Sequence, residues 1–238
     1  HVVDPSWKYM LEIVFERNGG GGGQSAALDN AYIQKELGGG TFIRAGQWLQ
    51  QFNQEEMVSS SAQQLVERSL VSQYFTVKYV QGAEIGTQQE WWSLYAGVND
   101  GGGNRNIQVV QAQNLVEWAL TARGEVKLAG AWSQFLADQS WIGSDFGAML
   151  GFGINWQRGT GVQGVRNDVG NGTIPGAPGG GEEASLVTMT GDINLRGSGW
   201  SLGAAGYSNV VYAFAPTPLL SNAVWSFGAT VQGGVFIT

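Results

Sequence analysis

From Val116 to Leu128 the chain alternates without a slip. Val116, Trp118, Leu120, Ala122, Gly124, Val126 and Leu128 fall on one face, and Glu117, Ala119, Thr121, Arg123, Glu125 and Lys127 on the other. At helical spacing these charges would scatter around an axis, whereas at period two they share one side of a strand. The same pattern returns elsewhere. Trp7, Tyr9, Leu11, Ile13 and Phe15 oppose Lys8, Met10, Glu12, Val14 and Glu16. Phe146, Ala148, Leu150, Phe152, Ile154 and Trp156 oppose Gly147, Met149, Gly151, Gly153, Asn155 and Gln157. Further alternating runs cover Trp91–Asn99, Val187–Arg196 and Ala223–Ile237, with weaker ones over Thr41–Gln50, Tyr74–Ile85 and Ser201–Phe214. The pattern predicts about nine strands, of the length that a tilted membrane strand requires.

Between the runs lie glycine-rich and proline-bearing punctuation segments at 18–24, 99–106, 159–183 and 215–222. Pro5, Pro175, Pro178, Pro216 and Pro218 avoid strand interiors, as residues that cannot donate to a ladder must. The Asn99–Asn104 stretch lacks the alternating acids of a calcium loop and reads as a turn. Five consecutive glycines at 19–23 have no Lys-Ser/Thr behind them, so they form no phosphate loop. Gly151 and Gly153, on an inward face, mark a bend or a close backbone approach. Gln51–Val71 departs from the rule. It is long, free of Gly and Pro, and carries Ala62, Leu65, Val66 and Ser69 at helical spacing, which predicts a short helix. No linker divides the chain, so residues 1–238 read as a single β domain with 51–71 as its one functional loop.

Composition narrows the chemistry. The chain has no Cys and a single His, His1, which removes thiol nucleophiles, disulfides, a Ser-His triad and histidine metal clusters. No cofactor and no metal is expected, and nothing suggests an enzyme. The net charge of −7 opposes electrostatic binding of nucleic acid. No apolar run approaches the ~18 residues of a membrane helix, but barrel strands escape that scan. Two all-β readings remain: a transmembrane barrel, or a soluble β-sandwich binding protein whose strands also have one apolar face. Trp7, Trp92, Trp118, Trp156 and Trp225 sit near strand ends, where a barrel places its aromatic girdles. The barrel is favoured, with a barrel enzyme or the sandwich as alternatives.

A resemblance sharpens this reading. Arg44-Ala45-Gly46-Gln47-Trp48-Leu49-Gln50-Gln51-Phe52-Asn53-Gln54-Glu55-Glu56, then Ser59-Ser60, then Glu67-Arg68-Ser69-Leu70, resembles the phosphate-selective porin O/P family. That family shares a Gly-Gln-x-x-x-Pro-Phe segment, an acidic pair, serines and Glu-Arg-Ser/Ala-Leu. Gln51 stands where the family has its proline, and Leu49 where it has a basic residue. The closing stretch from Ser226 is also similar to the family's late strands.

The resemblance implies an antiparallel up-and-down transmembrane β-barrel in an outer membrane. Its partners would be the lipid bilayer and a lipopolysaccharide-type outer leaflet, and it would assemble as a homotrimer. Small hydrophilic solutes or ions would diffuse through it. It also implies an incomplete chain, since family members are longer. The loop at 51–71 would fold inward and set a constriction with Glu55, Glu56, Glu67 and Arg68. Glu67–Arg68 reads equally as a pore pair or as a bridge anchoring the loop. The polar strand faces would line the lumen with Lys8, Glu12, Arg44, Glu117, Arg123, Glu125, Lys127, Asp192 and Arg196. Those nine residues hold five bases and four acids, and adding Glu55, Glu56, Glu67 and Arg68 from the loop gives six bases and seven acids, so no cationic ladder is visible and a weak cation preference is expected.

Overall fold

The computed structural model describes residues 4–17, 24–101, 116–160, 183–213 and 223–236. They form one ten-stranded sheet in which every strand pairs antiparallel with its neighbour in sequence. The strands are β1 (Trp7–Arg17), β2 (Gln24–Gly38), β3 (Thr41–Leu49), β4 (Tyr79–Gln88) and β5 (Trp92–Asn99). They continue as β6 (Val116–Ala129), β7 (Gly147–Thr160), β8 (Glu183–Gly197), β9 (Trp200–Ala213) and β10 (Val224–Val235). Among the described residues β1 and β10 do not pair with each other, so the sheet is open.

The count is ten strands where alternation predicted nine. The additional one is β2, and its pairing explains why it is hard to see. Glu12 faces Asn30 while Ile13 faces Leu28, so Asp29 is an extra residue that shifts the alternation mid-strand. A second correction concerns the predicted helix. Residues 63–69 are not helical; instead two short helices flank them, α1 (Gln54–Met57) and α2 (Leu70–Phe75), with a 3-10 turn at Ser60–Ala62. Leu65 and Val66, the apolar residues of the expected helix face, are exposed, so no packing rewards a helix there. Capping places the real ones: Asn53 accepts from the Glu56 amide at 2.7 Å, and Ser69 from the Ser72 amide at 3.0 Å. The turn segments predicted at 18–24, 99–106, 159–183 and 215–222 lie largely outside the described residues.

Burial is inverted relative to a soluble domain. Ile33, Ile43, Ile85, Val98, Leu120, Phe152, Phe227 and Val231 are exposed, while Arg123, Gln157, Ser185, Thr188, Thr190 and Arg196 are buried. Register keeps the faces separate across strands. Ile43, Ile85, Ala96, Ala122 and Ile154 follow one another on one side, and Arg44, Glu84, Gly97, Thr121, Asn155 and Thr188 on the other. A one-residue slip would exchange the two sets. No second sheet covers the apolar side among the described residues, which removes the sandwich reading. An apolar surface of this extent suits hydrocarbon, as in a membrane barrel.

At one end of the sheet three connections are short and a fourth, residues 130–146 between β6 and β7, is long. β2–β3, β4–β5 and β8–β9 are joined by two or three residues, and Gly39, Gly40 and Gly199 take the positive φ that such turns need. The 50–78 connection between β3 and β4 leaves from the opposite end. Aromatic side chains collect near both ends: Trp7, Trp92 and Trp200 open strands on the short-turn side. Trp118 and Trp156 meet edge-to-face at 5.0 Å toward the other.

Candidate pore lining and inward loop

The 50–78 connection lies against the polar face of the sheet. It begins under Trp48 and Phe52, which pack with Val77 and Val80 in a buried apolar cluster at the loop's two feet. Lys78, with φ 59°, turns the chain back into β4, and its carbonyl accepts from the Gln50 amide at 2.9 Å. From there the loop crosses toward the far strands. Phe75 stacks on Tyr207 of β9 at 5.6 Å, and a Cβ placed on Gly228 of β10 would collide with Val71 and Phe75.

A second segment reaches the same interior from the short-turn end. Residues 130–146 carry a 3-10 turn, Trp132–Phe135, whose Phe135 is buried. Gln54 of α1 donates to the Phe135 carbonyl at 2.6 Å, and the Asp138 amide donates to the Ala62 carbonyl at 2.9 Å. The two segments therefore meet inside, a junction that alternation in the sequence could not show.

One guanidinium ties the loop to the wall. Arg123 is fully buried and donates through Nε to Glu125 at 2.8 Å, and through Nη1 and Nη2 to Asp192 at 2.8 and 3.1 Å. Its Nη1 also donates to the Phe52 carbonyl at 2.9 Å. Glycine makes the room. A Cβ on Gly151 would come within 2.7 Å of Asp192 Oδ1 and collide with Arg123, and one on Gly153 would strike the Phe52 carbonyl. Of the two roles predicted for these glycines, close approach is the one seen. Arg44 is the second clamp. It donates to Glu84 and to Gln51, each at 2.6 Å, and Glu84 also accepts from Gln50 at 2.8 Å. Three rings surround it: Trp48 at 4.7 Å, Tyr32 at 5.2 Å and Phe42 at 5.6 Å.

The other named residues fall as follows. Lys8 lies on the polar face of β1, 2.7 Å from Glu36, and Glu12 accepts from Asn30 at 2.5 Å. Lys127 sits over the Trp132 ring at 5.5 Å. Arg196 donates to the Ala137 carbonyl at 3.0 Å and lies 3.8 Å from Asp138. Glu117 is exposed at the end of β6, 3.4 Å from Arg158, where the β6–β7 register shifts. Within the loop, Glu55 accepts from the Ser69 amide and hydroxyl. Arg68 pairs with Glu56 at 3.4 Å and not with the adjacent Glu67, which is exposed. Arg68 also donates to the carbonyls of Glu55, Glu56 and Val58, so it closes the loop upon itself. Burial raises the Glu56 pKa, and the charges of Arg68 and Lys78 oppose that rise. Sequence reasoning missed Glu84, Asp138, Gln50 and Phe52, whose roles depend on cross-strand register and on loop path.

The profile of a known family, phosphate-selective porin O and P, matches residues 3–213. The chain belongs to this family. It is an outer-membrane porin of β-barrel type, a channel through which small hydrophilic solutes or ions diffuse passively. The inverted burial and the polar covered face are what such a wall requires: lipid meets the apolar side and water the other. In a comparison with curated proteins the chain matched none.

Proposed function

We propose that the segment at 51–71 narrows the porin's channel, with Glu55, Glu56, Glu67 and Arg68 at or beside the narrowest passage. In the same reading Lys8, Glu12, Arg44, Glu117, Arg123, Glu125, Lys127, Asp192 and Arg196 form the charged wall. The single observation behind this is the tether from Arg123 Nη1 to the Phe52 carbonyl, which holds a long loop against the polar face rather than beyond the strand ends. The junction with residues 130–146 supports it, because two segments from opposite ends then share the cross-section. Exposed Glu67 and partly exposed Arg68 leave charge at the loop surface, where passing ions would meet it.

The assembly we propose is a homotrimer in a bilayer with a lipopolysaccharide-type outer leaflet. The outer face supports a neighbour: an apolar groove of about 850 Å³ runs over Ala45, Ala83, Ala96 and Ala122 between ridges that include Ile33, Leu120 and Trp156. Small side chains there let another apolar surface approach closely.

Deleting residues 55–66 tests the constriction. Single-channel conductance in planar bilayers should rise severalfold, with heat-modifiable gel mobility showing that the barrel assembled. Unchanged conductance and unchanged solute exclusion would place the loop outside the conducting path.

A further inference from the structure

We propose that Asp138 is a positioning residue of the constriction, a latch between the inward loop and the 130–146 segment that tightens in acid and loosens as pH rises. Proton concentration would then set the width of the passage. This rests on the constriction reading above.

The loop is held at its two ends by other means. Its feet are fixed by the Trp48, Phe52, Val77 and Val80 cluster and by Arg123, and its far helix by the Phe75–Tyr207 stack. The stretch between lacks such packing, for Leu65 and Val66 are exposed. Residues 62–64 are tied instead to residues 138 and 139. The Asp138 amide donates to the Ala62 carbonyl at 2.9 Å, and the Gln64 amide donates to Asp138 Oδ2 at 3.3 Å. Gln139 Nε2 donates to the Gln63 carbonyl at 3.0 Å. Arg196 of β8 anchors the other half of the junction through the Ala137 carbonyl at 3.0 Å. A Cβ on Gly234 of β10 would collide with the Gln64 side chain, so the latch sits against the wall.

The Asp138 carboxylate is buried yet poorly compensated. Its bond from Gln64 is long, and Arg196 Nη2 stops 3.8 Å from Oδ1, beyond hydrogen-bond reach. Such a carboxylate loses more hydration than its partners return. Burial accordingly raises the Asp138 pKa, and the charge of Glu55 in the loop adds to the rise. The Gln64 amide, Arg196 and the side chain of Gln232 on β10 oppose it, and β10 itself carries no charged residue. An acid whose pKa is raised in the closed junction holds its proton more tightly there than in the released one. Acid therefore favours the closed form, and above the raised pKa the cost of burying the carboxylate works to open it. Between the two pKa values the closing equilibrium changes about tenfold per pH unit. Burial raises Glu56 as well, but Glu56 pairs with Arg68 and ties the loop only to itself.

Single-channel recording of the full chain in planar bilayers, from pH ~8 to pH ~4, tests this. Time spent in the narrow, quiet level should lengthen about tenfold per pH unit over part of that range. D138N is uncharged throughout and keeps an acceptor for Gln64, so it should hold the narrow level at every pH. R196Q removes the cation that opposes the rise, so its transition should move to higher pH. A flat or opposite response in the unaltered channel, or one that D138N leaves unchanged, would overturn the latch. A transition in R196Q that stays in place or moves to lower pH would do the same. Deleting residues 55–66 separates the two readings. Higher conductance with no pH-dependent switching supports both, and higher conductance that still switches with pH overturns the latch alone. Unchanged conductance overturns the constriction and the latch with it.

Discussion

A single methyl group added at Gly153 should release the loop, whereas the same methyl at Gly191 should do nothing. The two glycines lie on adjacent paired strands but on opposite faces. A Cβ at Gly153 would strike the Phe52 carbonyl oxygen and lie 2.9 Å from the Thr190 methyl, whereas one at Gly191 meets nothing within 4 Å. Carbon–oxygen contacts ordinarily settle near ~3.3 Å, so the overlap at Phe52 is about 1 Å. Overpacking of that kind costs about 1–3 kcal/mol. Moving the Phe52 carbonyl also breaks its charge-assisted bond from Arg123, about 1.5–3 kcal/mol more if nothing replaces it. Against this, Gly→Ala at an unstrained position stabilises by about 0.4–1 kcal/mol through the unfolded chain. Gly153→Ala should therefore lose ~2–4 kcal/mol and Gly191→Ala should be neutral or gain slightly. Denaturant titration of the protein refolded in lipid vesicles measures the difference, and noise in single-channel current reports the loosened loop. Equal stability and equally quiet channels in the two variants would refute the placement of Phe52 over Gly153.

Leu120→Arg, on the outward face of β6, should cost about 2–4 kcal/mol if it lies near the membrane midplane, read by the same titration. Thr121, one step away, accepts from Asn99 at 3.0 Å and donates to Asn155 at 2.7 Å, so Thr121→Val should cost about 1–3 kcal/mol by stranding two buried amides. Asp100, just past β5, has its pKa pushed up from 3.8 to about 6 by burial, and the Gln81 amide that it accepts from opposes the rise. Its native state thus holds a proton more tightly than the unfolded chain, so the stability this contributes is present in acid and is lost as pH rises through about 6. Asp100→Asn keeps an acceptor for Gln81 and should raise stability near neutral pH by ~1–2 kcal/mol, with no gain at pH 4, checked by titrations at both pH values.

The strands were legible because lipid on one side and polar contacts on the other impose a strict period of two, which Val116–Leu128 displays in full. β2 escaped because the extra residue at Asp29 breaks that period. Lys35 adds to the disguise by lying on the apolar face, where it donates to Asp4 and Ser6 beyond the start of β1. The loop was legible as a loop from its length and its lack of Gly and Pro, but not in its internal structure. Spacing suggested a helix where Arg68 instead binds the carbonyls of Glu55, Glu56 and Val58. The charge clusters lay beyond reach for a related reason. Arg123 and Asp192 are 69 residues apart, and only the register Glu125–Gly151–Asp192 across three strands brings them together. The glycines at 151 and 153 were the one local sign that something large had to fit there.

The two-faced wall is the claim on which everything else rests, and thiol labelling along β10 tests it most directly. The chain has no cysteine, so single cysteines can be placed in turn at Ser226, Phe227, Ala229, Thr230, Val231 and Gln232 without background. In lipid vesicles, a charged, membrane-impermeant thiol reagent should label positions 226, 230 and 232, whose side faces the water-filled interior, and leave 227, 229 and 231 unreacted in hydrocarbon. Uniform labelling, or labelling of the apolar set, would contradict the account.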